Sequence, residues 1–122
     1  MNSREIISNI AQKYNVDSVG LFGSRARGDF REDSDYDIFI IGNLNLDQEL
    51  VLEAELEMLL NESVDIINLS EENDKILLKN IINDAEVLYS QNNAFENLYE
   101  FVEIFFAENN DFIRIRERDL ID

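Results

Sequence analysis

The 122-residue chain has no cysteine and no histidine. Those two absences exclude disulfides, the usual zinc sites and any Ser-His-Asp or Cys-His relay. Basic residues are scarce as well: Lys and Arg number 10 against 27 Asp and Glu, a net charge of −17. Such a field repels the phosphates of a long nucleic acid, so stable nucleic-acid binding is not expected. It suits a protein that holds cations or meets a basic partner, and part of it serves solubility alone. No stretch approaches the roughly 18 apolar residues of a membrane span. The opening Met1-Asn-Ser-Arg-Glu-Ile-Ile lacks the apolar run of a signal peptide, so cytoplasmic residence is expected. Internal repeats and low-complexity segments are missing too.

What is present fits one folded domain with an ordinary core, since 45% of the residues are hydrophobic. With histidine and cysteine gone, acid–base and metal chemistry falls to carboxylates, lysines, tyrosines and hydroxyls. Magnesium or manganese are then the plausible ions.

Hydrophobic periodicity divides the chain. Ser3 is placed to cap a first helix carrying Ile6, Ile7, Ile10 and Tyr14 at helical spacing. A short strand over Val16 to Phe22 stops at Gly23-Ser24, and a brief helical turn from Ser24 to Asp29 ends at Gly28-Asp29. Tyr36 to Ile41 is almost wholly apolar and reads as a central strand covered on both faces. A helix capped by Asn45 or Asp47 follows, with Leu50, Leu52, Leu56, Leu59 and Leu60 as its expected buried side. Val64 to Leu69 predicts another strand. Ser70-Glu71-Glu72 predicts the start of a helix bearing Ile76, Leu77, Ile81 and Ile82, and Glu86 to Tyr89 an edge strand.

This order gives an α+β domain on one sheet, spanning residues 1–90. Ser90-Gln91-Asn92-Asn93 is a polar linker to a C-terminal helical segment, 91–122. There the stripe of Phe95, Leu98, Tyr99, Val102 and Phe106 is expected to pack on the domain. A second stripe, Phe101, Ile104 and Phe105, is left for another surface and suggests a partner-docking element.

The chemistry concentrates in Gly23-Ser24, ten residues, then Asp35-Tyr36-Asp37. In a strand, residues two apart share a face, so Asp35 and Asp37 project together while Tyr36 points away. Two carboxylates on one face repel unless cations lie between them. Such a pair suits two magnesium ions about 3.5–4 Å apart, the spacing used for in-line phosphoryl transfer. Asp65, in Val64-Asp65-Ile66-Ile67, completes the cluster if its strand neighbours the first, either as a metal ligand or as the base for an attacking hydroxyl. Gly23 permits close backbone approach and Ser24 offers a hydroxyl, which together make a phosphate cradle. Arg25 and Arg27 are candidates to neutralise a triphosphate tail. The blander alternatives are a turn at Gly23, a cap at Ser24, a surface acid at Asp65 and solvated arginines at Arg25 and Arg27.

Gly23-Ser24-Arg25-Ala26-Arg27-Gly28 followed by Ser34-Asp35-Tyr36-Asp37 resembles the signature of the minimal nucleotidyltransferases, the MNT branch of the DNA polymerase β-like superfamily. The resemblance runs from the first helix to about Tyr89. It implies a nucleotidyltransferase fold in which the Gly23–Ser24 pair holds the triphosphate, Asp35 and Asp37 bind the catalytic metals, and Asp65 completes the triad. It further implies an antitoxin that transfers AMP from ATP, with Mg²⁺, to a tyrosine of a cognate HEPT-domain ribonuclease toxin in a hetero-oligomer. Ala85 departs from the glycine common among relatives, and the segment after Ser90 lies outside the shared core. Two competing functions stand beside this one. The first is a binding-only antitoxin with a dispensable metal site. The second is nucleotidylation of a small molecule such as an aminoglycoside, for which the chain has little left to shape an acceptor pocket.

Overall fold

The computed structural model describes residues 2–109. Their elements run α1 (Ser3–Lys13), β1 (Ser18–Phe22), α2 (Gly23–Arg27), β2 (Tyr36–Ile41), α3 (Leu46–Leu60), β3 (Val64–Asn68), α4 (Lys75–Asp84), β4 (Glu86–Ser90) and α5 (Ala94–Glu108). The strands form a single mixed sheet in the order β3-β2-β1-β4. β1 pairs antiparallel with both β2 and β4, while β2 and β3 are parallel. A parallel pair needs a crossover, and α3 supplies it. The α+β class, the flanking helices, the edge position of β4 and the C-terminal helix all agree with expectation.

β2 is apolar because both of its faces are covered. On one face Ile38 and Ile40 join Ile7, Leu21, Leu52 and Leu56 in a core roofed by α1 and α3. On the other, Phe39 meets Leu69, Leu78, Ile81, Leu98 and Val102 beneath α4 and α5. Gly20 makes room for Phe39, since a Cβ there would collide with its ring and with the Glu86 carbonyl. The Phe39 ring then packs 5.7 Å from that of Phe95. With only four glycines in the chain, asparagine takes over left-handed turn positions: Asn15, Asn61, Asn92 and Asn93 all have positive φ. Its short polar side chain tolerates that region better than other non-glycine residues.

The structure corrects several local expectations. Asn2, not Ser3, caps α1, its Oδ1 accepting from the Glu5 N–H. β1 begins at Ser18, because the Val16–Asp17 stretch is still leaving the α1 turn. Ser70-Glu71-Glu72 does not start a helix. Asn73 Oδ1 accepts from the Ser70 N–H and closes a turn, and Asp74 caps α4 by accepting from the Leu77 N–H. That delay rotates α4, burying Leu78 and leaving Leu77 exposed. On α3 only Leu52 and Leu56 are buried, and Leu50 and Leu59 face outward. On α5 Tyr99 is exposed, whereas Phe101 packs on the second core. The final part of the C-terminal segment, 110–122, lies outside the described residues.

Candidate active site

β1 delivers its last residue, Phe22, opposite Asp37 of β2, and Gly23 then turns the chain into α2. Gly23 has φ +70°, and a Cβ on it would collide with the Asp37 carboxylate. Glycine is therefore needed twice at this point, for the turn and for the approach. α2 has no side-chain N-cap, so the backbone N–H groups of its first turn, including that of Ser24, have no intrahelical or capping partner. Gly28, at φ +85°, closes α2 in the left-handed region.

The parallel register sets Asp37 of β2 beside Asp65 of β3. By strand alternation both side chains emerge on the α4–α5 face, together with that of Asp35 just before the strand. Tyr36 points the other way and is buried in the first core. The expected convergence is visible electrostatically. Partial burial, then the neighbouring charges of Asp65 and Asp35, push the Asp37 carboxyl above its ordinary value, and Arg27 offsets this only in part. Asp35 and Asp65 are exposed. No hydrogen bond or ion pair within the described residues occupies any of the three carboxylates. Among those residues no three acids already close into a metal-holding group. The donor set nonetheless fits a hard divalent cation. It is all oxygen and unpaired, and the missing Cβ of Gly23 lets the Asp37 carboxylate lie directly against the turn.

The arginines are more committed than their sequence positions suggest. The Arg25 guanidinium lies 4.0 Å from the Tyr36 ring centroid and 4.6 Å from that of Phe30. It donates to the Ser34 carbonyl at 2.7 Å, and its Nε is buried without a partner. Arg25 thus braces the loop that leads into Asp35. Arg27 pairs with Asp84 at 2.9 Å and Asp29 at 3.3 Å, and remains half exposed. One acid escaped the sequence. Burial, and then the charges of Glu57 and Asp65, raise the Glu53 carboxyl of α3. No spacing rule links Glu53 to Asp65; only the packing of α3 along β3 brings them near.

A cavity of about 720 Å³ opens at the opposite end of the sheet, near Gly42, Asn43, Asn68 and Asn97. Its best-placed amide, Asn68, is already spent on the Gly42 backbone, donating to the carbonyl at 2.9 Å.

A mixed sheet with a glycine–serine turn over paired aspartates defines a nucleotidyltransferase. Residues 5–94 match the family of polymerase β nucleotidyltransferases, and the chain belongs to that family. A protein of Methanocaldococcus jannaschii, named as an inferred protein adenylyltransferase, is 34% identical over 93 residues, 70% of this chain and 93% of its own length. A chain from a toxin–antitoxin crystal structure with AMP-PNP superimposes with a TM-score of 0.80 at 18% identity, covering 100% of both chains. A complex of a tri-AMPylated Shewanella oneidensis HEPN toxin with an MNT antitoxin gives 0.75 at 15% identity, over 98% of this chain and 97% of the other. At those identities the likeness is one of fold. No helix among the described residues is long and apolar enough to cross a membrane.

Proposed function

We propose that the chain is an antitoxin that transfers AMP from ATP to a tyrosine of a cognate HEPT-domain toxin in the cytoplasm. The observation that carries this reading is Gly23 pressed against Asp37, with Asp65 in register beside it and Asp35 two residues away. In the proposed roles, Asp35 and Asp37 hold two magnesium ions, for which manganese can substitute, and Asp65 joins them. The bound metal supplies charge neutralisation at the reacting phosphate and lowers the barrier to hydroxyl attack.

The chain's own groups do the rest. The Ser24 hydroxyl and the free N–H groups of the first α2 turn receive the triphosphate, and Gly23 lets it approach the backbone. Arg27, held only by exposed ion pairs, swings to the phosphates as negative charge moves to the leaving pyrophosphate. Arg25 keeps the Phe30–Tyr36 segment in place so that Asp35 stays beside Asp37. Asp65, exposed at the edge, accepts the proton of the attacking tyrosine. The names of the relatives, a protein adenylyltransferase and antitoxins in toxin complexes, support a protein acceptor.

Incubation with α-labelled ATP, Mg²⁺ and the candidate toxin tests the reading. The toxin should become labelled, and Asp35→Ala with Asp37→Ala should reduce the rate by on the order of a thousandfold, about 4 kcal/mol of barrier. A folded chain that labels no partner with Mg²⁺ or Mn²⁺ defeats it.

A second reading, a binding-only antitoxin, draws on the absence among the described residues of a ready-made three-acid metal group. If the double alanine variant protects cells as well as the wild type at native expression, this second reading replaces the first.

A further inference from the structure

The sequence expects surplus apolar surface on the C-terminal helix, where Tyr99 and Ile104 are exposed, and the structure shows a further apolar surface on α3. Leu46, Leu50, Ala54 and Met58 recur every fourth residue and form a continuous ridge on the outer side of the helix, with Val51 beside it. Leu50 is 52% exposed, Val51 56% and Met58 74%, while Leu52 and Leu56 on the inner side are sealed. At one flank the ridge drops into a depression of about 400 Å³ against α1, lined by Lys13, Tyr14, Val51, Ala54, Glu55 and Met58. Its wall is fixed, because Glu55 accepts from both Lys13 Nζ and the Tyr14 hydroxyl at 2.7 Å. The depression is shallow and open, with room for a large side chain of a partner, and methionine adapts its shape to what arrives.

The charge on α3 itself is of one sign. α3 carries Asp47, Glu49, Glu53, Glu55 and Glu57 and no lysine or arginine. Of these five acids, only Glu55 forms an ion pair with a described residue. A second copy of this chain, also at −17, would bring like charge against like, and an anionic lipid surface would do the same.

We infer that the outer face of α3 is the docking site for a helix of a partner protein, apolar along one stripe and edged by lysine or arginine. The stripe lies along the ridge, one side chain enters the depression beside Met58, and the basic edges meet Asp47, Glu53 and Glu57. Identifying this partner with the AMP acceptor rests on the reading above. The placement suits that role, because Glu53 of α3 lies near enough to the edge of the sheet for the charge of Asp65 to reach it.

The test uses fluorescence anisotropy with the full chain and a labelled leucine–lysine amphipathic peptide of about 18 residues, long enough to form a helix. The wild type should bind it, more weakly as salt rises. Leu50→Ser with Met58→Ser should weaken binding at least about tenfold. Ile104→Ser, at an exposed position on α5, should leave it unchanged. The Asp35→Ala, Asp37→Ala variant should bind the peptide like the wild type, so a failure of AMP transfer is separable from a failure of docking. Equal affinity for the wild type and the α3 serine variant overturns the proposal, as does equal binding of a leucine–glutamate peptide. A wild-type dimer in sedimentation velocity that the serine variant dissolves would make the occupant a second copy. Co-sedimentation with phosphatidylglycerol vesicles, lost in the same variant, would make it a membrane.

Discussion

α3 and α5 are each 15 residues long, carry several acids and no base, and cover opposite faces of the same sheet. They spend their apolar residues differently. α5 turns Leu98 and Val102 into the core, backs them with Phe95, Phe101 and Phe106, and leaves Tyr99 and Ile104 as its exposed large apolar side chains. Lysines of α4 finish the cover: Lys75 lies 5.6 Å from the Phe101 ring centroid and Lys79 4.9 Å from that of Phe106. α3 buries Leu52 and Leu56 and leaves Leu46, Leu50, Val51, Met58 and Leu59 outside. A helix packed on one layer needs only a narrow stripe, so apolar content in excess of that stripe is free for other work. Composition alone does not tell which helix has the excess; the neighbours do.

The comparison breaks most visibly at the inner stripes. Leu56→Ala on α3 and Leu98→Ala on α5 should each cost about 2–5 kcal/mol in denaturant unfolding, because each leaves a cavity under a fixed layer. If Leu98→Ala costs nothing, α5 is an appendage and not part of the core. The result would return the surplus surface to the C-terminal helix.

Much of the fold was legible because the strands are short apolar runs between turn residues, as at Tyr36 to Ile41 bounded by Asp35 and Gly42. The acid pair was legible for a related reason: Asp35 and Asp37 interrupt that pattern at a place where carboxylates serve no core. Asp65 required the strand order, which parallel pairing of β2 and β3 supplies. The roles of Arg25 and Glu53 were not legible. Arg25 depends on Phe30 and Tyr36 folding over it from the next loop, and Glu53 on a helix lying along a particular edge strand. The face of α3 failed for the same reason. Leucines at 50, 52, 56, 59 and 60 spread over about half of the helix circumference, and Leu46 and Val51 widen the apolar arc further, so periodicity could not choose among them.

A smaller effect is expected at the acid end. Without metal, Asp37 is partly buried and crowded by Asp65 and Asp35, and Arg27 relieves this only in part. Asp37→Asn should therefore raise the metal-free melting temperature by on the order of 3 °C while abolishing transfer. Calorimetry without Mg²⁺ tests this, and a variant melting at or below the wild type would show that the aspartates are not crowded. At the same end of the sheet, on the far side of β1 from Asp37, α1 is tied to β4 by the Arg4–Glu86 ion pair. The hydrogen bond from Arg4 lowers the Glu86 carboxyl, so its contribution is present above the ordinary glutamate value and lost as pH falls through the folded one. The pair is partly exposed, and solvent screening holds it to about 0.5 kcal/mol. Glu86→Gln should thus be slightly less stable than the wild type at neutral pH and equal to it well below about pH 4. A difference that grows on acidification would reverse the assignment.

The smallest change belongs to the outer ridge of α3, and it sharpens the comparison most. Leu50→Ser and Met58→Ser remove large apolar side chains from a helix, a substitution that on an inner face costs several kcal/mol. Here each should shift stability by less than about 0.5 kcal/mol, because Leu50 is half exposed and Met58 largely so, and their loss opens no cavity. Serine's lower helix propensity is the only cost left, and the Asn45–Gln48 capping box at the start of α3 holds the helix against it. Urea unfolding of the two variants beside Leu56→Ala measures this directly. A loss at Leu50 or Met58 comparable with that at Leu56 would mean the ridge is covered within this chain, and α3 would then have no free face to offer a partner.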